Sequence, residues 1–448
     1  MTHKPSLITT ALLLGNLTLA TGLHASEQQS SETYLTKKID VLIEKEGDSK
    51  LIEVDKIEPI SALDYFTPIY TPNAIGSELD SHDTDYGYAV GIVKRDEVGN
   101  AIGRCTGTLI SREWILTAAH CVDLDAQQQV MFVGDVDTRQ NGIQTEFNDV
   151  VDQQSNARWQ LLNPLERQMD RSDQGLMRLQ DAAPNIYTPA FLPSRYSYER
   201  YNQFGNTLNA VGAGRLFGEP NNADAENEVV FRRATINLGG ARNGSNRHSA
   251  TQGYSGLGYM YSERTLCGTD SGSGLTTRYR PTTVLGVLST GTRALMNTCD
   301  EATAETSRNV FATIDPFAQQ QTRDLLEIAG FDFVERNMDV SSTANTIFII
   351  DLEENGVANK DKRAVIDLRS TGTLVGSQKA SLYTQGVDNS ISLYGSMYLR
   401  SNRYDGTREI RLPDLSNFRK LIVVIPKQAS TNENVGISIS ARVITQPE

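Results

Sequence analysis

Histidine is scarce in this chain. There are five in 448 residues, and two of them, His3 and His24, lie in an N-terminal stretch that reads as an export signal. Only His82, His120 and His248 are left for acid–base work. Cysteine is almost as rare, with four: Cys105, Cys121, Cys267 and Cys299. None forms a CxxC pair and no histidine stands at ligand spacing from them, which argues against a metal site. Positive charge is in deficit. The 42 Lys and Arg face 55 Asp and Glu, a formal charge of −13, so nucleic acid and anionic membrane surfaces would be repelled. Beyond the N-terminus no run is long and apolar enough to cross a bilayer as a helix. No repeat of fixed period occurs.

What is present begins with that signal. Lys4 supplies a short positive region and "SLITTALLLGNLTLATGLHA" an apolar one. Cleavage falls after Ala25, with Ala20 as the alternative. The mature protein is then soluble and either secreted or periplasmic. In an exported chain an even cysteine count reads as two disulfides. Four cysteines allow three pairings, of which the sequence-local one is Cys105–Cys121 with Cys267–Cys299.

The 39% hydrophobic and 22% charged residues are ordinary for a globular protein, and 35 glycines among many Thr, Ser, Val and Tyr favour strands and turns. Residues 1–25 are the signal, and 26–74 a polar leader that includes the amphipathic run "YLTKKIDVLIEKE". Residues 75–330 form a first domain, in which short strands and glycine turns run from about Tyr86 to Ile314. "DPFAQQQTRDLLEIAG" ends it as one helix over 315–329, with Asp315 as cap, Pro316 in the first turn and Gly330 as the stop. Residues 338–448 hold about seven candidate strands, which suggests a β-sandwich. The fold class is therefore all-β. The last domain carries no cysteine and no histidine, and its partner is not legible.

Serine hydrolysis of an amide needs a base within reach of the hydroxyl, a carboxylate that orients the base, and N–H donors for the oxyanion. Only His120 has an apolar, cysteine-flanked setting, "GTLISREWILTAAHC". "SDQGLMRL" places Asp173 before an apolar strand. Asp170, three residues upstream, is a rival carboxylate, but Leu176, Met177 and Leu179 favour Asp173. "TLCGTDSGSGL" crowds small residues around Ser271.

These segments resemble the chymotrypsin/trypsin family of serine peptidases. "CTGTLISREWILTAAHCV" is similar to its histidine segment, and the opening "CTGTLI" to the bacterial glutamyl-endopeptidase branch. "SDQGLMRL" resembles its aspartate strand, "CGTDSGSGL" its nucleophile loop, and "VLGVLSTG" the strand beside the substrate. The order His120, Asp173, Ser271 is the family's, and the resemblance covers roughly 75–330. It implies a two-barrel peptidase domain, both sequence-local disulfides, a peptide or protein substrate and no cofactor. It makes Ser271 the nucleophile, His120 the base, Asp173 its orienter, and the N–H groups of Thr269 and Ser271 the oxyanion hole.

The same resemblance implies a specificity pocket with Thr265 at its base, Leu266 and Leu288 as apolar wall, Gly291 at the mouth and Asn309 shortening the far wall. A small or medium uncharged residue is then expected before the scissile bond. It also implies a zymogen cut after Ala74, with the new Ile75 ammonium reaching Asp270. The sequence departs from the family at Thr269, where glycine is usual and a Cβ disfavours the donor conformation. Ser273 and Gly274 replace a usual glycine and proline. These departures leave two rival expectations: a catalytically impaired binding protein on the same fold, and a serine esterase.

Overall fold

The computed structural model describes residues 41–42, 77–78, 86–132, 147–163, 172–195, 198, 201, 206–213, 231–238, 259–263, 266, 270–278, 282–291, 308–339, 345–351, 363–370, 377–400, 409–412, 415, 417–426 and 434–442. Two short strands come first, β1 (Val41–Leu42) and β2 (Ser77–Glu78). Six strands then close a barrel: β3 (Ala89–Arg95), β4 (Ala101–Leu109), β5 (Trp114–Thr117), β6 (Gln127–Phe132), β7 (Asn148–Ser155) and β8 (Gly175–Leu179). They run around it in the order β3-β4-β5-β8-β7-β6. Alternate apolar side chains such as Val90, Ile92, Leu109, Ile115, Met177 and Leu179 fill its interior.

The next six strands are β9 (Thr207–Gly212), β10 (Arg232–Asn237), β11 (Tyr259–Glu263), β12 (Gly274–Thr276), β13 (Val284–Gly291) and β14 (Arg308–Thr313). With β2 they form a seven-stranded sheet in the order β11-β14-β13-β12-β9-β10-β2. Leu208, Ala210, Ile236, Leu275, Leu285 and Phe311 make its core. A short helix α1 (Ala157–Leu161) follows β7, and α2 (Gln320–Ile328) follows β14.

α2 starts later than the sequence suggests. Asp315 does not cap a helix there. Its Oδ1 accepts from Phe317 N at 3.3 Å and Ala318 N at 3.1 Å, which closes a separate turn before the helix begins. The stop is as expected: Gly330 has φ +79° and its N–H donates to Glu327 O.

β15 (Phe331–Asp339) leaves Gly330 directly. After it come β16 (Thr346–Asp351), β17 (Arg363–Ser370), β18 (Ser377–Gly386), β19 (Ile391–Arg400), β20 (Ile410–Leu412), β21 (Phe418–Ile425) and β22 (Asn434–Arg442). They build two sheets, β1-β16-β21-β18-β19 and β15-β22-β17-β20. Phe348, Ile366, Leu382, Leu421 and Val423 form the buried layer of this second unit. The seven strands expected beyond 338 are all found, and β15 is an eighth. β1 lies antiparallel beside β16 at the edge of this sheet, with Val41 opposite Ile350.

The second unit is fixed to the first by buried contacts. Phe331 and Phe333 of β15 share a core cluster with Leu116, Leu176, Val287 and Ala312. The Arg363 guanidinium donates to Ile110 O and Ala190 O at 3.1 Å and to Pro189 O at 2.6 Å. It also lies 4.0 Å from the Phe191 ring centroid. Ser194 Oγ donates to Asp367 Oδ2 at 2.8 Å.

Candidate active site

His120 sits on a single 3-10 turn, Ala119–Cys121, at the end of β5. The turn is pinned by a disulfide from Cys121 to Cys105 of β4, with Cα atoms 6.1 Å apart. Asp173 stands just before β8 and is 1% exposed. Its two oxygens grip the same residue. Oδ1 accepts from the His120 backbone N–H at 3.0 Å, and Oδ2 pairs with His120 Nδ1 at 2.9 Å. An ionised carboxylate only accepts, so Nδ1 carries the proton and Nε2 keeps its lone pair.

Four effects set the proton affinity of His120. Burial pushes it down, and the charge and hydrogen bond of Asp173 push it up. The Lys94 cation pushes it down again, and the net direction is upward. Lys94 Nζ donates to His120 O at 3.3 Å. Burial depresses the pKa of Lys94 itself, and the nearby Asp123 carboxylate partly restores it.

Ser271 lies in the turn before β12. Its carbonyl accepts from Thr106 N of β4 at 2.8 Å and lies 3.6 Å from Cys121 Sγ. The Ser271 turn of one half is thereby stitched to the histidine turn of the other. Gly272 has φ +85° and donates to Leu288 O at 2.8 Å. The Ser273 hydroxyl and N–H both donate to Asp270 O, at 2.6 and 2.9 Å, so the serine in place of glycine closes the turn from within. Among the described residues no hydrogen bond joins Ser271 to His120.

Asp270 is 6% exposed. Its carboxylate packs on Gly212, where a Cβ would come within 2.1 Å of Oδ1. Only glycine leaves room for it. In the sheet, Gly212 stands opposite Arg232 and Arg232 opposite Glu78 of β2.

The residues read as a specificity pocket are partly brought together. Asn309 of β14 pairs with Gly291 of β13. Its side chain clasps the backbone of Leu266, accepting from N at 3.2 Å and donating to O at 3.2 Å. Leu266 and Leu288 are buried in the same cluster as Phe311 and Leu275. Thr265, Thr269, Cys267, Cys299, Ile75 and the rival Asp170 lie outside the described residues.

Three contacts had no sequence signal strong enough to single them out. Ser289 of β13 donates to Asp173 Oδ2 at 2.6 Å, a third bond on that carboxylate. The clue was a serine interrupting the apolar strand "VLGVLSTG". The Trp159 ring of α1 stands 6.5 Å from the His120 ring, tilted 45° to it. Gln174, next to Asp173, is wholly buried and bonds away from the site. Cys105, His120 and Cys121 converge closely enough to suggest metal ligands, but a disulfide consumes both sulfurs.

The sequence model of the trypsin family matches residues 83–319, just over half of the chain. Among solved structures, a collagenase determined at 1.7 Å resolution is similar, with 17% identity and a TM-score of 0.37. The match covers 53% of this chain and 92% of that one. A search of curated proteins finds no match.

Proposed function

Because the chain belongs to the trypsin family of serine endopeptidases, we propose that it cleaves peptide bonds with Ser271 as nucleophile, His120 as base and Asp173 as orienter. The observation that carries this reading is the double grip of Asp173 on His120 N and Nδ1. It leaves Nε2 as the only basic atom of the ring. In the first step Nε2 takes the Ser271 hydroxyl proton as Oγ attacks the carbonyl. Asp173 then faces an imidazolium, which it stabilises, and His120 returns the proton to the leaving amine. The developing oxyanion is met by the Ser271 N–H and, in this reading, the Thr269 N–H.

The pocket is read as closed to charge. Asn309 is spent on the Leu266 backbone and the neighbouring side chains are apolar, so no carboxylate is supplied for a substrate Arg or Lys. An unpaired buried charge costs several kcal/mol, so small uncharged residues such as Ala or Val are expected before the cut, favoured over Arg and Lys by about a hundredfold or more in kcat/KM.

We extend the reading to an exported zymogen cut before Ile75. The strand that begins two residues later is a sheet neighbour of β10, which pairs with the strand carrying the Asp270–Gly212 contact. Profiling of the active protein on a peptide library, with N-terminal sequencing of the same sample, tests both parts. Dominant cleavage after Arg or Lys, or a mature end far from Ile75, contradicts them. Hydrolysis of esters without any amide cleavage would instead favour a serine esterase.

A further inference from the structure

The Asp173 carboxylate is held on its front by His120 and Ser289, and the chain behind it is held by Gln174. Gln174 is wholly buried, and its amide reaches three places at once. Nε2 donates to Thr313 O at the end of β14, at 2.7 Å. Oε1 accepts from Asn156 Nδ2 at 3.2 Å and lies 2.7 Å from the Thr322 hydroxyl of α2. That hydroxyl is also 2.9 Å from Gln319 Oε1, and its one proton serves one acceptor at a time. The Asn156 N–H donates to Gln174 O at 2.9 Å. Backbone and side chain of Gln174 are therefore both fixed, one bond away from the carboxylate-bearing residue.

α2 is a firm anchor for this purpose. Thr322, Leu325 and Leu326 are buried, and Arg323 Nη2 donates to Phe333 O of β15. β15 in turn pairs with β22 over nine positions, Phe331 opposite Arg442 to Asp339 opposite Asn434. The terminal helix is thus gripped between the first barrel and the second β unit.

We propose that Gln174 and Thr322 are positioning residues, through which the terminal helix, braced by the second β unit, holds the Asp173 carboxylate on His120. The amide at 174 satisfies the Thr313 carbonyl and the Asn156 amide, and its place directly behind Asp173 passes that anchoring on to the carboxylate-bearing backbone. The polar pair bonds away from the carboxylate and fixes the residue that directly follows Asp173, whose direction the base depends on. The inference rests on the reading of His120 and Asp173 as base and orienter, and it assigns the second β unit a part in the geometry of the site.

The test uses the full chain with Thr322→Val, which keeps shape and removes the hydroxyl, Thr322→Ser, which restores it, and Gln174→Leu. With five histidines in the sequence, the titration of His120 can be followed by NMR in histidine-labelled protein without any turnover. The charged groups around it are Asp173 ahead of β8, Lys94 of β3 and Asp123 just past its own turn, and none is changed. In Thr322→Val and Gln174→Leu the His120 pKa is expected to fall by about half a unit or more as Asp173 loosens. kcat falls roughly five- to tenfold, the size of one lost buried hydrogen bond, with KM within about twofold. Thr322→Ser restores both. If the two apolar variants titrate and turn over like wild type and lose only thermal stability, the pair is merely structural and the inference is overturned. Should one variant fail to fold, the other decides between the same two outcomes. Full activity in Ser271→Ala would sink the triad reading separately, and the His120 titration would still decide this one.

Discussion

Asp173→Asn is expected to lower kcat by about ten-thousand-fold while the protein stays folded. The reason is the double grip. Both Asp173 oxygens accept from N–H groups of His120, one from the backbone and one from Nδ1. A carboxamide has one oxygen and one NH2. The backbone N–H can only donate, so it claims the oxygen. The NH2 then faces Nδ1 and demands a lone pair there, which moves the ring proton to Nε2. In that tautomer His120 cannot take the serine proton. Ser289, which donates to Oδ2, can turn its hydroxyl to accept instead, so nothing opposes the wrong arrangement.

The pH profile gives a second, signed readout of the same substitution. In wild type burial lowers the His120 pKa, Asp173 raises it and the net is upward. Activity requires neutral His120, so it should fall as pH drops through a value above the ordinary 6.5. Without the Asp173 charge, burial and Lys94 are left, and both push downward. The acid limb of the residual activity should therefore move to lower pH. An upward move, or a loss under tenfold, would contradict the orienter role.

Gly272→Ala is expected to cost about 3 kcal/mol or more of stability and to lower the melting temperature by on the order of 5–10 °C. Activity should be lost with it. Two independent penalties coincide here. φ is +85°, where a Cβ costs about 1–2 kcal/mol. The new Cβ would also stand 2.1 Å from Thr117 Oγ1, 2.2 Å from Thr106 O and 3.0 Å from Ala118 N. Two of these are backbone atoms, one on β4 next to Cys105 and one just past β5 ahead of the histidine, and they cannot turn aside. Gly274→Ala is the control. The three atoms nearest its Cβ all belong to the Thr108 side chain, at 2.2 Å from Oγ1 and 3.2 Å from Cβ, and rotation carries the closest of them away. Thermal unfolding that ranks the two variants in the reverse order would refute this account of the turn.

Much of the fold is legible because its strands alternate locally. The seven strands of the last domain can be read from period-two apolar runs, and the histidine, aspartate and serine segments from their small-residue and apolar settings. What sequence does not reveal depends on partners far away along the chain. β15 reads "FDFVERNMD", too charged for a core strand, and becomes one only by pairing with β22. Ser289 meets an aspartate 116 residues away, and Gln174 a carbonyl 139 residues away. The start of α2 falls later than expected because Asp315 can cap a helix or close a turn with equal local logic, and the turn prevails. Leu266 and Leu288, read as pocket wall, are buried beside Phe311 and Leu275 of the seven-stranded sheet, a setting that depends on strands far apart in the chain.

The central claim is that Ser271 is a nucleophile activated by His120. The most direct measurement is covalent labelling of the purified protein by a fluorophosphonate, with the modified residue located by peptide mass spectrometry. The reagent phosphonylates only a hydroxyl whose proton a nearby base removes and whose oxyanion is stabilised. The account predicts one label, on Ser271, lost in Ser271→Ala and His120→Ala. Wild-type protein that has been cut near Ile75 and still takes no label, or takes it on another serine, would contradict it.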